Sequence, residues 1–182
     1  TVDQARRALA DGATELVLVN QNNAQQSNTT NGVSYGQLKP ELAKPEWAKV
    51  PVWGLDDYSQ TPGFHDLVAG FVRDRFDVQL GAKGVTPKQT CLLFACHGNP
   101  SRITKAGDPG ETYMRNNYAA LQRTFAAQGF DVHLAFQNHG GKGTTFPQSL
   151  FPWSSPPDTD VVPQLANASC SHVLITGTIS FV

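Results

Sequence analysis

The sequence is poor in several things, and each shortage removes a class of protein. Charge is scarce: 16% of residues are Asp, Glu, Lys or Arg, the net charge is −1, and the positive residues are scattered. Nucleic-acid binding needs a basic stripe, so that class of partner is excluded. Long apolar runs are also missing, and no stretch approaches the ~20 residues of a membrane-spanning helix. Cysteine is limited to Cys91, Cys96 and Cys170, which is too few for a disulfide framework at this size. Cys91 and Cys96 are expected to be small buried hydrophobes. This usage predicts a reducing compartment such as cytosol, organelle matrix or stroma. The opening TVDQARRALADG has no initiator Met and no signal-peptide layout. Its first residue is therefore expected to be a processing boundary or an artificial start.

What is present suffices for a core. A 40% hydrophobic fraction over 182 residues fits one domain or slightly more. Periodicity alternates between two types. Val2 to Ala10 reads as a helix with Val2, Ala5 and Leu9 on one face, stopped by Asp11-Gly12. ELVLV (Glu15 to Val19) reads as a short buried strand. The polar run NQNNAQQSNTTNG follows, then a helical turn near Pro40 to Lys44 and a second strand in VPVWGL. Leu67, Val68, Phe71, Val72, Phe76 and Leu80 recur at helical spacing. CLLFAC is the third strand, and Tyr113 to Gln128 is a helix ended by Gly129. FDVHLAF (Phe130 to Phe136) is the fourth strand. A Gly- and Pro-rich loop from Gln137 to Pro157 leads to a short helix capped by Asp158, and SHVLITGTISFV is the last strand. Strands with continuous apolar runs, alternating with helices, predict an α/β fold with a parallel sheet covered on both faces.

In open parallel sheets the ligand site lies beyond the carboxyl ends of the strands. CLLFACHGNP delivers His97 to that place. An imidazole there can act as general base, metal ligand or hydrogen-bond donor, or can simply satisfy a backbone group at the strand end. Gly98 and Pro100 shape a turn, and Gly107-Asp108-Pro109 a second, with Asp108 placed to cap the next helix or to orient His97. Cys91, Cys96 and His97 form C-x4-C-H, but residues five apart on a strand face opposite sides. The spacing also departs from the C-x-x-C-H of haem attachment. His139 follows Phe136-Gln137-Asn138 and falls on the same sheet edge as His97, although an exposed loop histidine is the simpler account. Gly140, Gly141, Lys142 and Gly143 match neither phosphate-loop spacing. Trp153 lies in the same loop and either stacks on a flat ligand or pins the chain. His65, His133 and His172 receive no role.

Taken together, these segments resemble the ferrochelatases, which insert ferrous iron into protoporphyrin IX. LLFACHGNP resembles the family's strand ending in Ser-Ala-His-Gly-x-Pro, and GDPGETY its Gly-Asp-Pro-Tyr. FQNHGG and FPWSSPPDTD are similar to the family's Phe-Gln-Ser and Trp-Leu-x-Pro-x-Thr-Asp runs. LITGTISFV is similar to the strand before Asp-His-Ile-Glu-Thr-Leu. At the front, ALADGATELVLV and SNTTNG are similar to Leu-x-x-Gly and Thr-Thr-Gly.

The resemblance implies a shortened two-domain chelatase fold. Residues 1–80 would be a remnant of the first subdomain, and 81–182 the second. It implies His97 as the catalytic histidine, for proton abstraction or metal handling, with Trp153, Gln137 and His139 at the porphyrin cleft. Protoporphyrin, haem and ferrous iron are the implied ligands. Two departures stand out. Asn22-Asn23-Ala24-Gln25-Gln26 replace the family's Tyr-Pro-Gln-Tyr, and Gly110 stands where a Tyr follows Gly-Asp-Pro. At about 25 cal/mol per Å² of apolar contact, losing two or three aromatic walls is expected to weaken porphyrin binding by about several kcal/mol. The chain also stops at Val182, before the family's acidic partner, and on an apolar strand.

The first expectation is therefore a non-catalytic scaffold or accessory subunit, its truncated edges covered by other protein subunits and its site mitochondrial, with plastid or cytoplasm as alternatives. The second is an active or split ferrochelatase, and the third a haem or porphyrin carrier with His97 as axial ligand.

Overall fold

The computed structural model describes residues 2–19, 38, 40–55, 58–137, 156, 158–166, 168, 170–177 and 179. Elements alternate in the predicted order. Helix α1 is Val2–Ala10, strand β1 Leu16–Val19, β2 Val52–Leu55 and helix α2 Pro62–Gln79. Strand β3 (Thr90–His97) is followed by a short helix α3 (Ser101–Lys105), α4 (Gly110–Ala126) and β4 (Asp131–Gln137). Helix α5 (Asp158–Ala166) and β5 (His172–Thr176) complete the order. Helix α3 was missed in the sequence because five residues between two turns give no periodicity to read.

All strand pairings are parallel. β1 pairs with β2, Val17 opposite Trp53. The second sheet has the order β4-β3-β5, with Cys91 opposite Asp131 on one side and Val173 on the other. β3 is therefore central, and its run Cys91-Leu92-Leu93-Phe94 is buried on both faces, the pattern expected of an interior parallel strand.

The two faces are covered by different helices. Leu92, Phe94 and Cys96 join Val132, Leu134 and Phe136 under α2 and α4, whose Val68, Val72, Phe76, Met114, Leu121 and Phe125 complete that core. Aromatic edges interlock there: Phe125 meets Phe130 at 5.6 Å, and Phe130 meets Phe76 at 5.0 Å, both nearly perpendicular. Cys91, Leu93 and Ala135 pack on the other face against Val161 and Leu165 of α5. The connection β3-α4-β4 runs one way along the sheet and β4-α5-β5 runs back past β3. Right-handed crossovers in opposite directions place their helices on opposite faces.

Local signals set the boundaries. Thr61 caps α2, its Oγ1 accepting the Phe64 N–H at 3.3 Å, with Pro62 in the first turn. Gly129, at φ +96°, ends α4 as expected, and the Phe130 N–H returns to the Phe125 carbonyl at 3.2 Å. Helix α1 buries no residue fully. Its Arg6 instead pairs with Glu41 and Glu46, and exposed pairs of this kind add little to stability.

One expectation is corrected. Cys91 is not a free apolar core residue: it is joined to Cys170 by a disulfide spanning 79 residues of sequence, with Cα atoms 5.6 Å apart. The cause is sheet topology. β5 lies beside β3 with Thr90 opposite His172, so the turn before β5 meets the first turn of β3. Cys96 remains free and buried in the α2/α4 core, on the side away from Cys91 as strand alternation required.

Candidate functional site

His97 is the last residue of β3 and stands opposite Gln137, the last residue of β4. Two side chains with hydrogen-bonding heads therefore sit side by side at the carboxyl edge of a parallel sheet. Both are half-buried, so each backs onto protein and faces outward. The turn that leaves β3 is held tightly. The Gly98 N–H donates to the Gln137 carbonyl at 2.7 Å. A Cβ on residue 98 would lie 2.7 Å from that same oxygen. Any side chain there would push the two strand ends apart, so glycine is a steric requirement for the His97–Gln137 juxtaposition.

The floor is built by the next segment. Asn99 and Asp108 are buried, each 7% exposed. The Asp108 carboxylate accepts the Gly110 N–H at 2.8 Å, holding the start of α4. This is the helix-start role open to Asp108 in the sequence. The Thr104 hydroxyl donates to Glu111 at 3.4 Å and ties α3 to α4. Glu111 in turn holds Arg115 at 2.6 Å, and the guanidinium lies 4.9 Å from the centre of the Phe136 ring, within range of a cation–π contact. Cys96, buried behind this pair, has its thiol pushed up to about 12 by desolvation, with Arg115 pulling weakly the other way. A thiol held neutral in this way is neither nucleophile nor metal ligand at physiological pH.

At the far end of the 138–157 segment the chain returns to β4, where the Phe136 N–H donates to the Pro156 carbonyl at 3.0 Å. The expected cleft residues His139 and Trp153 lie outside the described residues. So do Asn22 to Gln26 and the glycine-rich stretch 140–143.

Two histidines without an assigned role make local contacts. His65 Nε2 sits 2.9 Å from the Asn117 carbonyl oxygen, which also accepts from Gln60 at 3.1 Å. This polar knot joins α2 to α4 at the edge of the apolar core. His172 Nδ1 lies 2.9 Å from the Ser171 hydroxyl. The third, His133, had been passed over although it carries more chemistry: it sits on β4 with Nε2 3.0 Å from Asp131. The Asp131-x-His133 spacing, which puts both on one face of a strand, was the signal available. None of the described helices is long and apolar enough to cross a membrane.

The site geometry is that of a sheet-edge imidazole framed by a Gly-Asn-Pro turn and a Gly-Asp-Pro helix start. Comparison with known proteins bears on the family rather than on these side chains. The family model described as Ferrochelatase matches residues 1–182. A ferrochelatase of Chlamydia pneumoniae is 26% identical over 112 residues, covering 62% of this chain and 32% of its own length. A ferrochelatase of Rickettsia canadensis (strain McKiel) is 27% identical over 117 residues, covering 64% of this chain and 31% of its own length. The chain thus spans about a third of the length of these curated relatives. With a family match over its whole length, joined to a parallel sheet that ends in His97, the chain belongs to the ferrochelatase family.

Proposed function

We propose that this chain takes part in porphyrin metallation and that His97 is the group on it that accepts a pyrrole proton. The observation that carries this reading is the placement of His97 beside Gln137 at the carboxyl edge of the sheet, with Gly98 holding the two strand ends together. The reaction exchanges two pyrrole protons for one ferrous ion, giving haem and two protons. The His97 imidazole would take one pyrrole proton on a ring nitrogen and pass it to solvent. Gln137 offers an amide donor and acceptor to a propionate or to a bound water. A second acceptor is required for the second proton. The matched stretch is about a third of the curated relatives, so the whole reaction is proposed for a complete family-length site, of which these residues form one wall.

A second reading, a non-catalytic scaffold within a larger assembly, is favoured by the substitutions. Asn22 to Gln26 replace an aromatic stretch, and Gly110 is a buried glycine where the family carries Tyr. Val17 and Trp53, opposite each other on β1 and β2, are each 59% exposed, apolar surface of the kind that partners cover.

One assay separates the readings. Purified protein is mixed anaerobically with ferrous iron and protoporphyrin IX, and growth of the haem Soret band is followed beside His97→Ala. His97-dependent growth supports the metallation reading. Equal rates for the two proteins reject it and leave the scaffold. A haem titration whose Soret shift disappears in His97→Ala, without turnover, identifies a carrier.

A further inference from the structure

The amino edge of the same sheet carries a second group of ligand-type side chains, independent of the metallation reading. Cys91 opens β3 directly opposite Asp131 on β4. Asp131 and His133, two residues apart on one strand, project to the same side as Cys91. One ligand atom from each of Cys91, Asp131 and His133 lies within 4.8 Å of the others. The Cys170 sulfur is bonded to that of Cys91, so it is one bond away from the group.

We propose that these four residues form a redox-gated site for a soft divalent cation, zinc in kind. Oxidised, Cys91 and Cys170 are a disulfide with no thiolate to offer, and the cluster is only an exposed His133–Asp131 pair. Reduction supplies two electrons and two protons, breaks the S–S bond and yields two thiols. The reductant is a dithiol, which is itself oxidised to a disulfide. Metal binding then displaces the two thiol protons, giving two thiolates, one carboxylate and one neutral imidazole around the ion.

The chemistry of the set selects the metal. Two sulfurs with one nitrogen and one oxygen suit tetrahedral zinc, and are too soft for magnesium or calcium. Zinc–ligand bonds of about 2.0–2.3 Å place neighbouring donors roughly 3.5 Å apart. The donors of Cys91, Asp131 and His133 close to that spacing, and the two sulfurs, once their bond is broken, open to it. Access is open, since the Asp131 side chain is 50% and the His133 side chain 30% exposed, whereas Cys91 is fully buried. The site would fasten the turn before β5 to β3 and β4, the same segments the disulfide ties. Metal and disulfide are thus alternative staples for one corner of the fold.

Cobalt(II) is the probe. The full chain is reduced with a phosphine, freed of reductant without air, and titrated with cobalt. The expected result is one equivalent bound, with a thiolate-to-cobalt charge-transfer band and the strong visible bands of a tetrahedral ion, and one-for-one displacement by zinc. The air-oxidised chain is expected to show neither band. His133→Ala and Asp131→Asn, both at partly exposed positions, are expected to weaken binding at least about tenfold and to shift the visible bands. His97→Ala is expected to bind as the unmodified chain does, which separates this site from the carboxyl edge. No thiolate band in the reduced chain, equal binding by the oxidised chain, or unchanged affinity in both His133→Ala and Asp131→Asn overturns the proposal.

Discussion

The two faces of the β4-β3-β5 sheet are built on different terms. Under α2 and α4, residues Leu92, Phe94 and Cys96 of β3 meet an aromatic cluster of Phe76, Phe125, Phe130 and Phe136, with the Thr90 hydroxyl at the strand start donating to the Thr86 carbonyl. Under α5 the described residues of the core are Val161 and Leu165 against Cys91, Leu93 and Ala135, with Ala168 and Cys170 at its margin. That face starts with a disulfide beside Asp131 and His133 and finishes with His97 beside Gln137. Among the described residues, one face is rich in aromatic rings and the other carries the polar and sulfur-bearing side chains.

That contrast can be broken deliberately. Phe125→Ala is expected to cost about 3–5 kcal/mol, the usual range for a buried aromatic cut to alanine. Its ring is fully buried among Phe94, Phe130 and its own helix neighbours. Urea unfolding measures it, and a loss below about 2 kcal/mol means the α2/α4 face is not the main store of stability. On the other face the disulfide adds a covalent tie. Its 79-residue separation corresponds to about 4.5 kcal/mol on the chain-entropy account. Reduction should therefore lower the unfolding midpoint, and protease should cut first around α5. Protection of α5 that survives reduction would show that Val161 and Leu165 suffice.

Gly98→Ala tests the carboxyl edge with a smaller effect. Its Cβ would press on the Gln137 carbonyl, and an overpacked position of this kind costs about 1–3 kcal/mol. If the His97–Gln137 geometry matters, any metallation activity should fall further than stability does. An alanine tolerated with full activity would show that the strand ends separate freely. Cys96 gives the smallest effect, and one that depends on pH. Its pKa is raised from 9 to about 12 by burial. Below pH 9 the thiol is protonated whether the chain is folded or not, and ionisation contributes nothing. Above pH 9 the unfolded chain loses that proton while the folded chain keeps it, so stability falls with rising pH. Cys96→Ala should remove that decline without altering the trend below it; identical profiles in both proteins would mean the thiol is not desolvated.

Helix α4 and strand β3 show how far the sequence reaches. Tyr118, Leu121 and Phe125 recur at helical spacing and are ended by Gly129, and CLLFAC is an unbroken apolar run, so both elements could be placed from local signals alone. His97 was legible for the same reason. A strand assignment puts it at a sheet edge, and the surrounding glycines and prolines mark turns. The Cys91–Cys170 bond was not legible, because nothing near either residue reveals that β5 returns alongside β3 rather than adding outside β4. For Asp108 the sequence offers two contacts, and the one with the Gly110 N–H becomes visible only in three dimensions.

The order of helices and strands, the parallel sheet and the family followed from the chain itself, because burial periodicity and turn residues act over a few positions at a time. Strand order, the pairing of distant cysteines and the meeting of Cys91, Asp131 and His133 were decided only in three dimensions. Those contacts depend on which strands become neighbours, and crossover handedness and the shared packing of helices on two faces choose that.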